Sequence, residues 1–280
     1  HKEYRRQRQM CIRDRINSDW KASLSYGVTT SWNDVNKIFA YIDDLNGDYD
    51  VNVYELGGKS EWKLAQAMLQ GTFRTGPLQH QVVAGISHQP GLGWDRPYEW
   101  NLIGRANLYQ RHAIRHDAVG SRVMTRGDET VQQAVFASDT VNLGSGWSVL
   151  AGWRYNDFET KGRYHTYPVT PTYAVMFKPS EAVTLYASYI ESLEAGSRVG
   201  NSYINAGDVL DPTISKQYEI GAKVEAARWN ANVAAFRLER GANIDELTPA
   251  GKRLVQDGIT LYEGIEASAD LHLNDTLTVG

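Results

Sequence analysis

The sequence has one cysteine, Cys11, among its 280 residues. A single cysteine provides neither a disulfide framework nor a cysteine-rich metal site. The sequence also lacks any apolar run approaching the ~18 residues that a membrane helix needs, and its mean hydropathy is -0.46. These absences exclude a helical membrane protein. They leave soluble β proteins and outer-membrane β-barrels, whose alternating strands keep the average hydropathy low.

Basic charge and catalytic motifs are scarce as well. The net charge of -4 gives no basic field for nucleic acid. No G-x-S-x-G, H-E-x-x-H, Walker or G-x-G-x-x-G motif is present, so we predict neither an enzyme nor an intrinsic cofactor. His112 and His116 have a spacing that suits a metal on a helix, but no third ligand accompanies them and a polar loop explains them equally well. Asp43 and Asp44 lie in a loop-like stretch and need no catalytic role.

What the sequence does contain is alternation of apolar and polar residues. The run WSVLAGWRY places Trp147, Val149, Ala151, Trp153 and Tyr155 on one face of a strand. Eight steps of ~3.3 Å separate its aromatic ends by about 26 Å, which suits the two edges of a bilayer's apolar band. Similar alternation recurs in residues 183–189, 218–236 and 264–273. A β-sandwich core would produce the same period, so periodicity alone does not decide between the two classes.

Connection lengths and aromatic content favour the barrel. Tight turns follow residues 143, 177, 224 and 273, whereas the alternate connections, 85–130, 191–212 and 240–257, are long. Short turns on one side and long loops on the other are typical of outer-membrane barrels. The chain has 16 Tyr and 8 Trp but 6 Phe, a balance typical of a bilayer interface. We therefore predict an all-β, antiparallel transmembrane β-barrel, present here as an incomplete curved sheet of roughly 10 to 12 strands.

Both termini require separate interpretation. The first fifteen residues, HKEYRRQRQMCIRDR, are rich in arginine and show no period. Their core, MCIRDR, resembles a translated transposon-end sequencing adaptor, so we predict that residues 1–15 are not native and that residues 16–280 are one part-barrel. A basic tail that binds nucleic acid or a membrane is the alternative. The far end, LNDTLTVG, stops inside an alternating run, so we expect the C-terminus to be truncated.

Five successive blocks carry a family resemblance. They are QQAVFASDTVNLGSGWSVLAGWRYNDF, TPTYAVMFKPSEAVTLYASYIESLEAG, NAGDVLDPTISKQYEIGAKVE, ANVAAFRLER and VQDGITLYEGIEASADLHLNDTLTV. In this order they resemble the barrel of TonB-dependent siderophore receptors, and residues 20–87 are similar to its earlier strands. The signature consists of Leu210, Asp211, Pro212, Gln217, Tyr218, Glu219, Gly221 and Lys223.

The resemblance implies the outer membrane of a Gram-negative bacterium, with lipid bilayer and lipopolysaccharide around the barrel. It further implies about 22 strands closed around an N-terminal plug, so we expect the plug, the closing strands and the segment that contacts the TonB complex to be missing. The implied function is uptake of a ferric siderophore, which coordinates the iron itself. A receptor for haem, cobalamin or a carbohydrate, and a passive porin-like or adhesin barrel, are the alternatives.

Loop aromatic and arginine side chains are the candidates for ligand binding, because large chelates suit pockets of aromatic and hydrogen-bonding groups. The candidates are Trp94, Tyr98, Trp100, Arg105, Tyr109, Arg111, Tyr164, Tyr167 and Tyr203. The alternative for each aromatic residue is a place in the interfacial girdle or in loop packing.

Overall fold

The computed structural model describes residues 2–42, 44–96, 99–110, 123–194, 196–274 and 277–280. Over these residues the chain forms a 14-stranded sheet. Its strands are β1 Lys2–Arg15, β2 Trp20–Ile42, β3 Asp48–Thr75, β4 Leu78–Asp95, β5 Glu99–Asn107, β6 Thr125–Gly144, β7 Trp147–Thr160, β8 Tyr164–Thr166, β9 Val169–Ser180, β10 Val183–Glu194, β11 Thr213–Glu225, β12 Trp229–Thr248, β13 Gly251–Asn274 and β14 Leu277–Val279. No helix in this described part of the chain is long and apolar enough to cross a membrane.

The strands pair in sequence order. The path runs β1-β2-β3-β4-β6-β7-β9-β10-β11-β12-β13-β14, while β5 pairs with β3 and β8 pairs with β7. The pairs from β7 to β14 are antiparallel. Over the described residues the path does not return from β14 to β1. The predicted all-β antiparallel sheet that is not closed into a barrel is confirmed, and its path agrees with the predicted strand number.

Exposure along the strands is the reverse of that in a β-sandwich. On β7, Trp147, Trp153 and Tyr155 are 45%, 48% and 38% exposed, whereas Asn156 on the opposite face is 1% exposed. Among the described residues the buried set contains as many polar as apolar side chains, and most large apolar side chains are exposed. A soluble sandwich would bury the apolar face. The apolar face of this sheet is therefore its outer face, and we call the opposite, more polar face the inner face.

The strand register aligns outer-face residues into rows. Tyr173, Tyr189 and Tyr218 are direct partners across β9, β10 and β11, with ring centroids 6.3 and 5.0 Å apart. Towards the short turns, the next two rows are built from apolar residues such as Ile220 and Val233. Towards the long connections, the next row is charged and contains Glu191, Lys216 and Glu239. This sequence of apolar, tyrosine and charged rows is the profile of one membrane interface.

Several glycines provide space for aromatic rings on a neighbouring strand. Tyr186 covers Gly221, where a Cβ would lie 2.6 Å from the ring. Phe236 covers Gly264 in the same way, with a corresponding distance of 2.8 Å. The glycine removes the side chain that would occupy this space, so the ring can lie flat on the adjacent strand.

Two of the predicted long connections are largely strands. Residues 240–257, predicted as a loop, continue β12 and β13 as a ladder from Arg240↔Thr260 to Thr248↔Gly251. Within 85–130, β4 extends to Asp95 and β5 pairs with β3 through Glu99–Asn107. These predictions were wrong because polar side chains on both faces of a water-exposed ladder leave no apolar period to detect. Residues 2–15, which show no period either, form β1.

The chain divides into two units by its internal contacts. The first comprises the described residues within 1–11, 25–65 and 88–131, and the second those within 12–24, 66–87 and 132–280. The first unit contains a group of aromatic rings in which Trp100 stacks on Phe39 at 6.0 Å and meets Tyr41 and Tyr54 at 5.7 and 6.0 Å. The second unit contains β7 to β14.

Candidate functional site

In the second unit the two longer connections, those after β7 and β10, lie at the same end of the strands as the tip of the β12–β13 hairpin. Because consecutive strands are antiparallel, the connections after β7, β10 and β12 lie at one end, and the turns after β6, β9 and β11 lie at the other. The connection after β10 is the longest of these. We call its described residues, 196–212, the strap.

The strap has its own backbone structure. The amide of Val199 donates to the carbonyl of Asp208 at 2.8 Å, and the amide of Leu210 donates to Ser197 at 2.9 Å. Val199 is 2% exposed. Gly196 lies so close to the Leu210 backbone that no Cβ would fit there. The strap is therefore a folded segment, and the Leu210-Asp211-Pro212 part of the family signature forms its return into β11.

The strap reaches across β12 to the edge of β13. Its Ile204 amide donates to the Lys252 carbonyl at 2.8 Å. The Asn205 side chain donates to the Leu254 carbonyl at 3.0 Å and accepts from the Leu254 amide at 3.1 Å. An asparagine side chain that forms both bonds takes the place of a backbone amide in a β ladder.

Side-chain contacts add to this attachment. Tyr203 Oη donates to Asp245 Oδ1 at 2.8 Å, and Lys252 Nζ lies 3.1 Å from Asp245 Oδ2. The hydrogen bond from Tyr203, followed by that from Lys252, lowers the pKa of Asp245. The same bond raises the pKa of Tyr203. Both shifts mean that the ionised carboxylate and the neutral phenol are the forms that the contact favours.

A second charged contact lies at the base of the strap. Arg240 Nε donates to Glu194 Oε2 at 2.6 Å, and Ser215 Oγ donates to the other carboxylate oxygen. Burial raises the pKa of Glu194, but the hydrogen bonds from Ser215 and Arg240 outweigh it, so the pKa lies below its ordinary value. The carboxylate is thus ionised at neutral pH and links β10, β11 and β12.

A pocket of about 830 Å³ lies between the strap, the turn after β7 and residues 253–256 of β13. Arg163 is in its wall, and its Nη1 donates to the Gly207 carbonyl of the strap at 3.0 Å. Arg253 lines the β13 side, and Asp208 and Asp211 line the strap side. We call this the loop pocket. Its charged groups belong to three separate elements, so no local sequence motif brings them together.

Polar contacts connect side chains on the inner face of the sheet. Arg154 donates to Asn156 Oδ1 at 2.8 Å and to Ser87 Oγ at 3.0 Å. Gln217 donates to Glu219 at 3.0 Å, and Tyr186 donates to the same carboxylate. Gln217 and Glu219 of the signature therefore face this side, whereas Tyr218 belongs to the outer tyrosine row. The alternation in QYEIG reflects two environments.

Comparison with known proteins identifies the family. Residues 3–279 match the family model described as TonB dependent receptor-like, beta-barrel. The chain belongs to this family. The TonB-dependent receptor barrels are transport receptors of the Gram-negative outer membrane, and that is where we assign this chain.

Individual relatives of this receptor barrel are distant. The ferrichrome receptor FcuA of Yersinia enterocolitica is 28% identical over 199 residues, covering 61% of this chain and 25% of the relative. The ferric-pyoverdine 358 receptor of Pseudomonas putida is 22% identical over 240 residues, covering 76% and 27%. The crystal structure of BauA, the ferric preacinetobactin receptor of Acinetobacter baumannii, superposes with a TM-score of 0.77 at 19% identity, covering 98% of this chain and 43% of that one. The receptor barrel thus spans about a quarter of the length of the curated relatives.

The candidate ligand residues of the first unit do not all lie in loops. Trp94 is the penultimate residue of β4, and Lys59 Nζ lies 4.8 Å from the centroid of its ring. Trp100 and Arg105 lie in β5, and Arg105 pairs with Asp50 at 3.2 Å. Tyr109 follows β5 and is 76% exposed. Tyr98 and Arg111 lie outside the described residues, as do His112 and His116.

The candidates of the second unit lie near the loop pocket in sequence but do not line it. Tyr164 belongs to β8 and stacks on Phe158 at 5.8 Å. Tyr167 stacks on Tyr155 at 6.4 Å. Tyr203 contacts Asp245 in the strap attachment. In the part of the chain that the structure describes, no group of three or more His, Cys, Asp or Glu side chains is arranged to hold a metal ion.

Proposed function

We propose that the natural protein containing this receptor barrel is an outer-membrane receptor that binds a ferric siderophore and transports it with energy supplied through the TonB complex. The family match across nearly the whole chain is the observation that carries this proposal. Relatives described as ferrichrome and ferric-pyoverdine receptors support the ligand class. The iron chelate is cargo, and no catalytic role is proposed for any residue.

The geometry of the strand ends supports binding at the mouth of the barrel. The loop pocket of about 830 Å³ has the size of a small-molecule site. It lies at the end with the long connections, which in outer-membrane barrels faces the cell exterior. A ligand captured there would lie above the inner face along which it enters the lumen.

The outer face supports a proposal about the surroundings of the barrel. The charged row with Glu191, Lys216 and Glu239 lies next to the tyrosine row on the side of the long connections. We infer that this row lies at the headgroup level of the outer leaflet, where lipopolysaccharide phosphates and their counter-ions are found. The apolar rows below it would contact acyl chains.

Iron uptake tests the proposed function directly. The gene is deleted in its host, and uptake of radioactive iron from ferrichrome, ferripyoverdine, haem and ferric citrate is measured in iron-limited cells. We expect the deletion to abolish uptake from one siderophore and complementation with the full open reading frame to restore it. A host without TonB is the matched control and should behave as the deletion does.

Other results would contradict the proposal. Uptake that persists without TonB would indicate a passive barrel. Loss of haem uptake alone, with all siderophores unaffected, would assign the receptor to another ligand class. Unchanged uptake of every iron source would remove the transport function altogether.

A further inference from the structure

The lining of the loop pocket determines which kind of chelate it fits. Its side chains come from the turn after β7, the strap, the first residues of β11 and residues 253–256 of β13. No aromatic side chain is among the described residues that line it. Stacking on aromatic rings, which suits flat apolar ligands, is therefore not the mode of recognition available in this pocket.

Charges of both signs occur in this lining. Arg163 and Arg253 contribute two guanidinium groups, and Asp208 and Asp211 contribute two carboxylates. Thr213 and Gln256 add a hydroxyl and an amide. Guanidinium groups recognise carboxylates through paired hydrogen bonds, and carboxylates accept from ammonium, hydroxyl and amide donors. The pocket thus complements a ligand that carries both acidic and donor groups.

The two arginines have different roles in the pocket. Arg163 is committed to the Gly207 carbonyl and positions the strap. The strap binds to the backbone of Lys252 and Leu254. The side chain of Arg253, which lies between them in β13, is on the opposite face of the strand from their side chains. It is exposed and has no ion-pair partner among the described residues. Its guanidinium is therefore the group best placed to meet a carboxylate that enters the pocket.

We propose that the loop pocket selects a hydrophilic, peptide-like ferric chelate, binding the carboxylate of the ligand at Arg253 and its donor groups at Asp208 and Asp211. This inference rests on the proposed siderophore function. It adds a substrate class, since a compact chelate whose outer surface consists of aromatic rings has no stacking partner in this pocket.

Binding to the full-length receptor in outer-membrane vesicles tests the proposal. The probes are ferripyoverdine, which has a peptide chain with ionised groups, ferrichrome, a peptide hydroxamate without a free carboxylate, and ferric enterobactin, a catecholate. We expect ferripyoverdine to bind most tightly. Arg253→Gln should weaken its binding by about tenfold or more, because a charge-assisted contact is lost, while Arg253→Lys should recover part of the affinity.

Matched variants separate recognition from folding. Arg228→Gln makes the same change in the turn after β11, at the opposite end of the strands, and should leave binding unchanged. Asp208→Asn should weaken ferripyoverdine binding, because it removes a charged acceptor for the ionised groups of that ligand, but should leave the binding of ferrichrome, whose donors are neutral amides, within about twofold.

Each outcome has one interpretation. Preference for ferric enterobactin, or ferripyoverdine binding that is unaffected by Arg253→Gln, overturns the substrate class while leaving siderophore uptake intact. Equal loss for all three chelates indicates a structural role of Arg253 and also overturns the proposal. If no ferric chelate binds and none supports uptake, the proposed function itself fails.

Discussion

In this sheet, the residue type that a position can accept depends on the side chain directly opposite on the next strand. Gly221 illustrates this, since it belongs to the signature and lies under the ring of Tyr186. The phenol of Tyr186 donates to Glu219 two residues away on the same face, and Lys223 Nζ lies 5.3 Å from the ring centroid. One glycine therefore allows three signature positions to contact one tyrosine.

Replacing Gly221 with valine should destabilise the barrel by about 1 to 3 kcal/mol, because the new side chain overlaps the Tyr186 ring. The measurement is urea unfolding of the full-length receptor in lipid vesicles. Gly93→Val is the control, since apart from Gly93 itself and its two chain neighbours no described residue has a heavy atom within 4 Å of the position of its Cβ. Adding Tyr186→Ala to Gly221→Val should recover part of the loss. A Gly221→Val variant as stable as Gly93→Val would refute the steric explanation.

The attachment of the strap at Asp245 should depend on pH. The folded pKa of Asp245 is below its ordinary value of 3.8, so its contribution is complete above that value and is lost as the pH falls through the lowered pKa. The raised pKa of Tyr203 means that the contribution of its neutral phenol is lost only at alkaline pH, above the ordinary pKa of 10.0. Protease cleavage within the strap should thus be slow at neutral pH and faster below about pH 4. Tyr203→Phe removes a hydrogen bond to Asp245, so it should narrow the pH range over which cleavage of the strap is slow. A cleavage rate independent of pH would contradict the assignment.

Strands are defined by the difference between their two faces. On β12, Val233 lies on the exposed outer face and Asn232 on the inner face, one residue apart. The outer face is apolar over several consecutive rows, so we assign it to lipid and the inner face to a wet lumen. Neighbouring residues on one strand therefore experience different solvents.

A pair of arginine substitutions tests this assignment. Val233→Arg should cost ~2 to 4 kcal/mol if the residue lies near the bilayer midplane. Asn232→Arg should cost little, because a wet lumen solvates the charge. Both are measured by unfolding in vesicles of defined lipid, with the wild-type receptor as the reference. If Asn232→Arg were the more damaging substitution, the two faces would have to be exchanged.

The sequence predicts a strand of this sheet where one of its two faces contacts lipid, and fails to predict it where both faces contact water. Around Trp147 and Val183 one face meets lipid, so the apolar period is visible and the strands are predictable. At residues 240–257 both faces meet water, and the sequence looks like a loop although it forms a ladder. The sequence did not predict the loop pocket for a different reason. Arg163, Asp211 and Arg253 are distant in sequence and come together only after the strap folds.

At the scale of the whole molecule, pairing has to be satisfied at both ends of the sheet. In the described path, β1 and β14 each have one neighbouring strand. A bilayer provides no hydrogen bonds for a free strand edge, and each unsatisfied group is costly there. The 280-residue chain on its own thus has two edges that need partners.

We expect this chain, expressed alone, not to insert stably into lipid vesicles, whereas the full open reading frame should. Protease resistance and heat-dependent gel mobility after refolding provide the measurement. A protected, inserted 280-residue chain would show that its edges find partners without further strands. The proposed adaptor origin of residues 1–15 is tested separately by sequencing the source DNA across Arg15.

The strap extends across β12 to β13, and this affects whether β13 can pair with an extended peptide from a neighbouring protein. Lys252 and Leu254 are alternate residues of β13, and their backbone groups point away from β12. The strap already occupies the Lys252 carbonyl and both backbone groups of Leu254. An extended peptide from a neighbouring receptor would therefore find no free docking register at these positions. In a densely packed membrane, the strap would thus protect the β12–β13 hairpin against self-association.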